Sequence, residues 1–173
     1  MSNPQIEIAH KIITQTRHSL FLTGKAGTGK TTFLHNLRRE NKKRMVVLAP
    51  TGIAAINAGG STLHSFFQLP FSPYIPRANY SKESFKLNKQ KIRIIRGLDL
   101  IVIDEISMVR ADLLDSVDNI LRRVRRSALP FGGVQLLMIG DLSQLSPVAK
   151  EDEWQLLSRH YTTPYFFSSH ALA

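Results

Sequence analysis

Residues 19–37 read SLFLTGKAGTGKTTFLHNL, which contains a short apolar strand, a glycine-rich loop and the start of a helix. The loop fits the pattern Gly-x-x-x-x-Gly-Lys-Thr, and Phe33, Leu34 and Leu37 recur after it at helical spacing. The glycines let successive backbone N–H groups turn toward phosphate oxygens, and the N-terminus of the helix adds positive potential. The segment therefore predicts a nucleotide phosphate site between a strand and a helix.

Each polar residue of this loop has a predicted part in the phosphate site. Lys30 is expected to reach the β- and γ-phosphates, and the Thr31 hydroxyl is expected to bind Mg²⁺. The predicted nucleotide-binding residues of the loop are Gly27, Thr28, Gly29, Lys30, Thr31 and Thr32. The predicted cofactors are ATP and Mg²⁺.

Beyond the loop, short apolar runs alternate with helical stretches, which is typical of an α/β domain with a mostly parallel central sheet flanked by helices. The predicted strands are 19–23, 45–49, 98–103 and 134–139. Helices are predicted from residue 29, over 52–58 and 88–96, and from 112 to about 126. Residues 69–80 contain three prolines and predict an ordered excursion, and 161–167 is a candidate last strand.

Two carboxylates, Asp104 and Glu105, follow the third predicted strand. Asp104 is a candidate Mg²⁺ ligand, and Glu105 is placed to polarise an attacking water. The fourth strand leads to Gln144, whose amide can bond both a phosphate oxygen and a water. The alternatives are a helix cap for the two acids and a turn capped by Asp141 for the loop that contains Gln144.

The charge of the chain is positive and unevenly distributed. The net charge is +10, with sixteen Lys and Arg and three acids before Asp99, against seven and ten from Asp99 onward. Such an excess favours polyanions such as nucleic acid, and a merely soluble basic surface is the alternative. Without cysteine, the sequence excludes disulfides and thiolate zinc sites.

Five motifs occur together in one order, and their combination resembles a known family. They are GKAGTGKT at 24–31, APTGIAA at 49–55, TLHSF at 62–66, DEISM at 104–108 and GDLSQLSPV at 140–148. This set is similar to the first RecA-like domain of the Pif1 helicases, relatives of the RecD group in helicase superfamily 1. The resemblance covers most of the chain, from about residue 5 to 148.

The resemblance implies a RecA-like ATPase that moves 5′-to-3′ along single-stranded DNA, with forked and G-quadruplex DNA as further substrates. It also implies roles in genome maintenance, including DNA repair, recombination and telomere maintenance. By the motif match, Lys30, Glu105 and Gln144 are catalytic, and Thr31 and Asp104 bind the metal. The residues expected to line the DNA track are Thr51, Gly52, His64 and Ser65, and Gln5 is the candidate for reading the adenine edge.

Several side chains near these motifs have two interpretations. His64, Phe66 and Phe67 are able to stack on bases. The alternative for Phe66 and Phe67 is a place in the core, which suits Phe67 better. The run at 122–126 contains four arginines at the end of a helix, where cations favour the macrodipole, so a solvated face is expected over nucleic-acid binding. Trp154 is expected to pack.

We expect one RecA-like domain over residues 1–173, with the second motor domain, which would supply an arginine finger, in a longer parent chain. On that expectation the 173 residues alone do not unwind DNA. The alternative functions are a P-loop phosphotransferase acting on a small molecule and a nucleotide-gated binding module that acts as a loader or scaffold. No signal segment or bilayer-length apolar run is present, so a bacterial-type cytoplasmic location without a membrane partner is expected, with the nucleus as the other candidate.

Overall fold

The computed structural model describes residues 4–25, 27–76 and 87–173. The helices are α1 Pro4–Gln15, α2 Lys30–Glu40, α3 Gly52–Asn57, α4 Leu63–Phe67, α5 Lys89–Gly97, α6 Ala111–Arg125 and α7 Glu151–Leu157. The strands are β1 Leu20–Thr23, β2 Met45–Ala49, β3 Ser61–Thr62, β4 Leu100–Ile103 and β5 Gln135–Gly140. No helix in these ranges is long and apolar enough to cross a membrane.

The described strands form one parallel sheet in the order β1-β5-β4-β2-β3. Thr23 is in register with Gly140, and Ile103 is in register with both Leu48 and Met138. The carboxyl ends of the four longer strands therefore meet at one edge, where the loops after parallel strands build sites. The predicted α/β fold with a parallel central sheet is confirmed, and β3 is a short addition that periodicity did not indicate.

The sheet is buried on both faces, which explains the uninterrupted apolar run of β4. Leu100 and Val102 pack with α1 and α2 on one face, and Ile101 and Ile103 pack with α4, α5 and α6 on the other. Successive side chains of a strand point to opposite faces, so a strand covered on both sides needs no polar alternation. This packing directs the polar chemistry of the domain to the loops at the sheet edges.

The prediction of a last strand at 161–167 is wrong. Tyr165 makes a single bridge with Arg110, and Phe166–Ser168 is a 3-10 turn. The segment is held by side chains on α6 instead of by a neighbouring strand, because the buried Asp115 carboxylate accepts a hydrogen bond from the Tyr161 hydroxyl at 2.8 Å. The excursion is confirmed as free of helix and strand over 69–76, and residues 77–80 lie outside the described residues.

The arginine run at the end of α6 is only partly solvated, so the expectation of a solvated face is wrong for two of its members. Arg125 donates through Nη1 to the carbonyl oxygens of Ile95, Arg96 and Leu98 at 2.9–3.1 Å. Arg122 pairs with Asp118 at 2.7 Å. Trp154 is half-buried against the small cluster of Ala111, Leu157 and Tyr161, which agrees with packing.

Candidate nucleotide site and adjoining groove

The glycine-rich loop after β1 uses left-handed backbone at the two glycines that precede α2. Gly27 has φ 79° and Gly29 has φ 91°, a region in which a side chain is strained. The Lys30 ammonium folds over its own loop and donates to the carbonyl oxygens of Gly24 and Lys25, the latter at 3.0 Å. Phosphate oxygens bound here would replace two neutral acceptors with charged ones, which strengthens each hydrogen bond.

A cavity of about 370 Å³ lies between this loop and the carboxyl ends of β4 and β5. Its lining residues are Gly27, Gly29, Lys30, Thr31, Thr32, Glu105, Asp141 and Gln144. Residues from three predicted motifs, which together span more than a hundred positions of the sequence, therefore meet around one space. Within these three motifs, the predicted residues Thr28 and Asp104 are not in its lining. The Thr28 hydroxyl donates to the Lys25 carbonyl oxygen at 2.8 Å.

The two carboxylates at the end of β4 are both partly removed from water. Burial raises the pKa of Asp104, against the opposing effects of the Glu105 N–H at 3.1 Å and of the Lys30 charge. Burial and then the charge of Asp104 raise the pKa of Glu105, and Lys30 again opposes. Two acids in a poorly hydrated place repel each other, so a bound cation would relieve both. Oxygen donors of this kind, with the Thr31 hydroxyl, suit Mg²⁺.

Asp141 organises the loop after β5, as in the capped turn that was the alternative interpretation of this loop. Its carboxylate accepts from the Ser143 N–H at 3.0 Å, the Ser143 hydroxyl at 2.6 Å and the Gln144 amide at 3.3 Å. The hydrogen bonds from Ser143 lower the pKa of Asp141. A charged acceptor therefore restrains the Gln144 side chain beside the cavity. The sequence signal for this role is the position of Asp141 two residues before Ser143, since Asp commonly bonds the backbone N–H two residues on.

Gln5, the candidate for the adenine edge, is exposed in the first turn of α1 and is not in the lining of the cavity. A separate cavity of about 330 Å³ lies between α1 and α2 and is lined by Ile6, Glu7, His10, Lys11, Phe33, Asn36 and Glu40. The adenine contact of Gln5 therefore stays a prediction.

The four residues predicted for the DNA track lie together at the same edge of the sheet, beside β2 and β3. Thr51 and His64 line a pocket of about 260 Å³. Gly52, His64 and Ser65 line an adjoining pocket of about 470 Å³. The Thr51 hydroxyl oxygen accepts from the Ala54 N–H at 3.2 Å and so caps α3, which leaves its proton available for another acceptor.

An aromatic pair lies where the two pockets join. The His64 ring stacks on the Phe71 ring with centroids 5.1 Å apart, and Phe71 is 86% exposed. Burial, followed by the Arg110 charge, lowers the pKa of His64, which favours the neutral ring. Phe67 is in the core as expected; Phe66 is also buried at 6% exposure, so its suggested base stacking is wrong. Phe71 is the exposed ring that the sequence interpretation missed.

An ion-pair network fixes the loop that presents Phe71. Arg110 binds Asp112 through two hydrogen bonds of 2.8 and 2.9 Å and Glu153 at 2.7 Å. Asp112, which is buried, also accepts from the Tyr74 N–H at 3.0 Å. The Phe71 loop is thereby joined to the start of α6, a few residues after Asp104 and Glu105 at the end of β4.

This arrangement matches one protein family over most of the chain. The model of the PIF1-like helicases matches residues 1–160. The chain belongs to the PIF1-like helicase family. Among the relatives, the ATP-dependent DNA helicase RRM3 of Saccharomyces cerevisiae is 40% identical over 149 residues, which are 82% of this chain and 20% of the relative. The ATP-dependent DNA helicase Pif1 of Bdellovibrio bacteriovorus is 36% identical over 149 residues, 84% of this chain and 34% of the relative.

Solved structures of the family agree with the fold. Bacteroides Pif1 in complex with ADP-AlF4 superimposes with a TM-score of 0.92 at 45% identity, and the match covers 98% of this chain and 39% of that one. Bacteroides Pif1 bound to single-stranded DNA gives a TM-score of 0.91 at the same identity and the same coverage. The sheet is therefore of the RecA-like helicase type. The chain spans well under half the length of these PIF1-like helicases.

Proposed function

We propose that this chain is the ATP-binding motor domain of a 5′-to-3′ DNA helicase and that it supplies part of the track for single-stranded DNA. The observation that carries the proposal is the meeting of Lys30, Glu105 and Gln144 around one cavity, at the sheet edge that also holds the groove of Thr51 and His64. A phosphate site and an exposed aromatic groove on one rigid edge suit a motor, because nucleotide-dependent loop movements can reach the nucleic acid directly.

Each predicted site residue then has a chemical role. Gly27, Thr28, Gly29 and Thr32 shape the loop whose N–H groups hold phosphates, and Lys30 exchanges its carbonyl acceptors for phosphate oxygens. Mg²⁺, when bound, neutralises charge on the phosphates, and Thr31 and Asp104 are the residues that would hold it. Glu105 takes the proton of the attacking water, a role that its place in the lining of the cavity supports. Gln144, restrained by Asp141, senses the γ-phosphate.

The solved relatives support nucleotide and DNA as ligands, since the Bacteroides proteins bind ADP-AlF4 and single-stranded DNA. The family relationship supports a role in genome maintenance. We further propose that a second RecA-like domain of the same parent chain completes the site with an arginine finger, worth about 10³–10⁵ in rate. The presence of Glu105 and Gln144 beside the glycine-rich loop supports ATP hydrolysis over the alternative of a small-molecule phosphotransferase.

The nucleotide part of the proposal is tested by titrating a fluorescent ATP analogue with Mg²⁺ against the chain and its Lys30→Ala variant. Loss of the Lys30 ammonium removes a charged donor to phosphate, worth about 1.5–3 kcal/mol, so the affinity should fall by about tenfold or more. Lys25→Ala, which removes the same charge from an exposed position in the same loop, is the matched control and should bind normally. Equal affinity of all three proteins would contradict the proposed site.

The DNA part is tested by the anisotropy of labelled oligo(dT) with Phe71→Ala. Stacking on a base is worth about 1–3 kcal/mol, so binding should weaken by about fivefold or more. Because Phe71 is 86% exposed, thermal stability should change little. Phe167→Ala, at an exposed ring on the chain's terminal segment, serves as the control. Unchanged binding of oligo(dT) by the Phe71 variant would refute base stacking at this groove.

A further inference from the structure

The positive charge of the protein is concentrated at the edge of the sheet opposite to the two sites described above. In a parallel sheet all strands begin at one edge, and the helices between them end there. The described cations in the last helical turns and in the loops that enter the strands are Arg17, Arg38, Arg39, Lys42, Lys43, Arg44, Arg96, Arg122, Arg123, Arg125 and Arg126. We name these eleven residues the basic edge.

Direct contacts show that the segments of the basic edge form one surface. The Lys43 ammonium donates to the Thr16 carbonyl oxygen and to Gln135 Oε1, both at 2.6 Å, and Gln135 donates to the His18 carbonyl oxygen at 2.7 Å. These contacts connect the loops that enter β1, β2 and β5. Arg44 binds Asp99 at 2.9 Å, so the loop that enters β4 is connected as well.

Compensation of helix dipoles accounts for only part of this charge. Helices α1, α2, α5 and α6 end at the basic edge, and each C-terminus carries about half a negative charge. Three carboxylates within the described part of the same surface pair with arginines: Glu40, Asp99 and Asp118. Together these contribute about five negative charges against eleven positive ones, which leaves a net charge of about +6. Lys43 and Arg125 are bonded to oxygens within the domain and contribute only to the positive potential. Exposed cations such as Lys42 and Arg126 are the ones placed to contact an external polyanion.

The basic edge is also separate from the DNA groove of the proposed motor. The longer strands have four to six residues, and at about 3.3 Å per residue the two edges lie about 13–20 Å apart. That distance exceeds the Debye length of about 8 Å at physiological salt. In the groove, Arg110 is neutralised by Asp112 and Glu153. The cations of the basic edge therefore serve a different segment of nucleic acid from the one in the groove.

The chemistry of the surface indicates which form of nucleic acid it fits. Sites for single strands combine cations with aromatic rings on which bases stack. The described segments of the basic edge contain no Tyr or Trp, and their one phenylalanine, Phe131, is buried. Their exposed aromatic ring is His18, and a lone imidazole does not form a row on which successive bases stack. Four strands spaced by about 4.8 Å give a width of about 14 Å, which matches about four phosphates along one strand of a duplex. Phosphate contacts without base contacts suit a duplex of any sequence.

We propose that the basic edge is a second DNA site, which binds the phosphate backbone of duplex DNA without sequence preference. This inference does not rest on the proposed motor function, because none of the residues of the basic edge lines the nucleotide cavity or the groove. In a helicase, such a site would hold duplex DNA on the outside of the motor domain while the opposite edge handles the single strand.

The test uses the purified 173-residue chain and a labelled blunt duplex of about twenty base pairs, titrated at several salt concentrations. The variant Lys42→Gln/Arg126→Gln removes two exposed cations from different segments of the basic edge. Each lost phosphate contact reduces the steepness of the decline of log K with log salt by about 0.9, so the slope should become less negative by about 1.8. Duplex affinity at about 0.1 M salt should fall at least about tenfold.

The matched control is Lys89→Gln/Lys150→Gln, which removes the same charge from exposed positions away from the basic edge and should keep its duplex affinity within about twofold. Binding of the fluorescent ATP analogue, unchanged in both variants, reports that the domain is folded and separates this test from that of the motor function. Equal losses in both variants would show diffuse attraction and overturn the proposal. Unchanged duplex binding, or a loss confined to oligo(dT), would overturn it as well.

Discussion

Removal of the Asp115 carboxylate should be among the most damaging single changes to the stability of this domain. Asp115 lies on α6, is 6% exposed, and accepts four hydrogen bonds from residues close to the end of the chain. One oxygen accepts from the Ser169 hydroxyl and, at 3.0 Å, from the Ala171 N–H. The other accepts from the Tyr161 hydroxyl at 2.8 Å and the His170 N–H at 3.2 Å. One side chain thus holds the segment 161–171 against α6.

The expected magnitude follows from what the substitution leaves behind. Asp115→Ala leaves the buried hydroxyls of Tyr161 and Ser169 and two backbone N–H groups without their acceptor. Each buried donor left unsatisfied costs about 1–3 kcal/mol, so together they should reach about 3–4 kcal/mol. Relief of the desolvation of the carboxylate is already included in such values. Since a domain has about 5–15 kcal/mol of stability in total, the variant should lose a large fraction of it.

The assay is equilibrium unfolding in urea, followed by circular dichroism, for the chain and two variants. Asp115→Ala should lower the free energy of unfolding by about 3–4 kcal/mol with little change of the m-value. Asp115→Asn should lower the free energy of unfolding by about half as much. Its amide oxygen still accepts from one pair of donors, while its NH₂ group faces the other pair, which are donors themselves. A loss below about 1 kcal/mol for the alanine variant would refute the reasoning.

A double-mutant cycle with Tyr161→Phe separates the hydrogen bond from the packing of the ring. In the original chain, Tyr161→Phe should cost about 1.5 kcal/mol or more, because its hydroxyl donates to a charged acceptor. In the Asp115→Ala background the same change should cost almost nothing, since the acceptor is gone. Costs that add within about 0.5 kcal/mol would show that the two residues do not interact.

Two further predictions concern the sites at the other edge. Burial raises the pKa of Asp104 above its ordinary 3.8, so the folded protein binds that proton more tightly than the unfolded chain does. The free energy of unfolding therefore falls as the pH rises through the folded pKa. Calorimetry should show that Asp104→Asn stabilises the protein more at about pH 8 than at about pH 4, and an equal gain at both pH values would contradict this prediction. A Cβ at Gly60 would lie 2.1 Å from the Val47 carbonyl oxygen, so Gly60→Ala should lower the free energy of unfolding by about 2 kcal/mol or more. Gly52→Ala, with nothing within 4 Å of its Cβ, should stay within about 1 kcal/mol in the same urea experiment, and equal effects of the two would refute the steric argument.

The sequence predicted those features that are encoded within a short stretch of chain. The glycine-rich loop needs particular backbone angles at Gly27 and Gly29, and only glycine adopts them freely. The loop can therefore be predicted from the sequence alone. The longer strands could be predicted because a parallel sheet covered on both faces requires continuous apolar runs such as that of β4. The order of the motifs also made the family recognisable, and the family model confirmed it.

Only the tertiary structure decided which distant residues meet. Lys43 reaches Gln135 across 92 positions, and Asp115 binds Ala171 across 56, and no local periodicity encodes either contact. The same holds for charge: the sequence showed an excess of cations, but the parallel sheet assigned many of them to the edge opposite the predicted DNA groove. Phe66, equally aromatic and close in sequence to Phe71, is buried while Phe71 is exposed. Burial depends on what packs above a side chain, and that is a property of the whole fold.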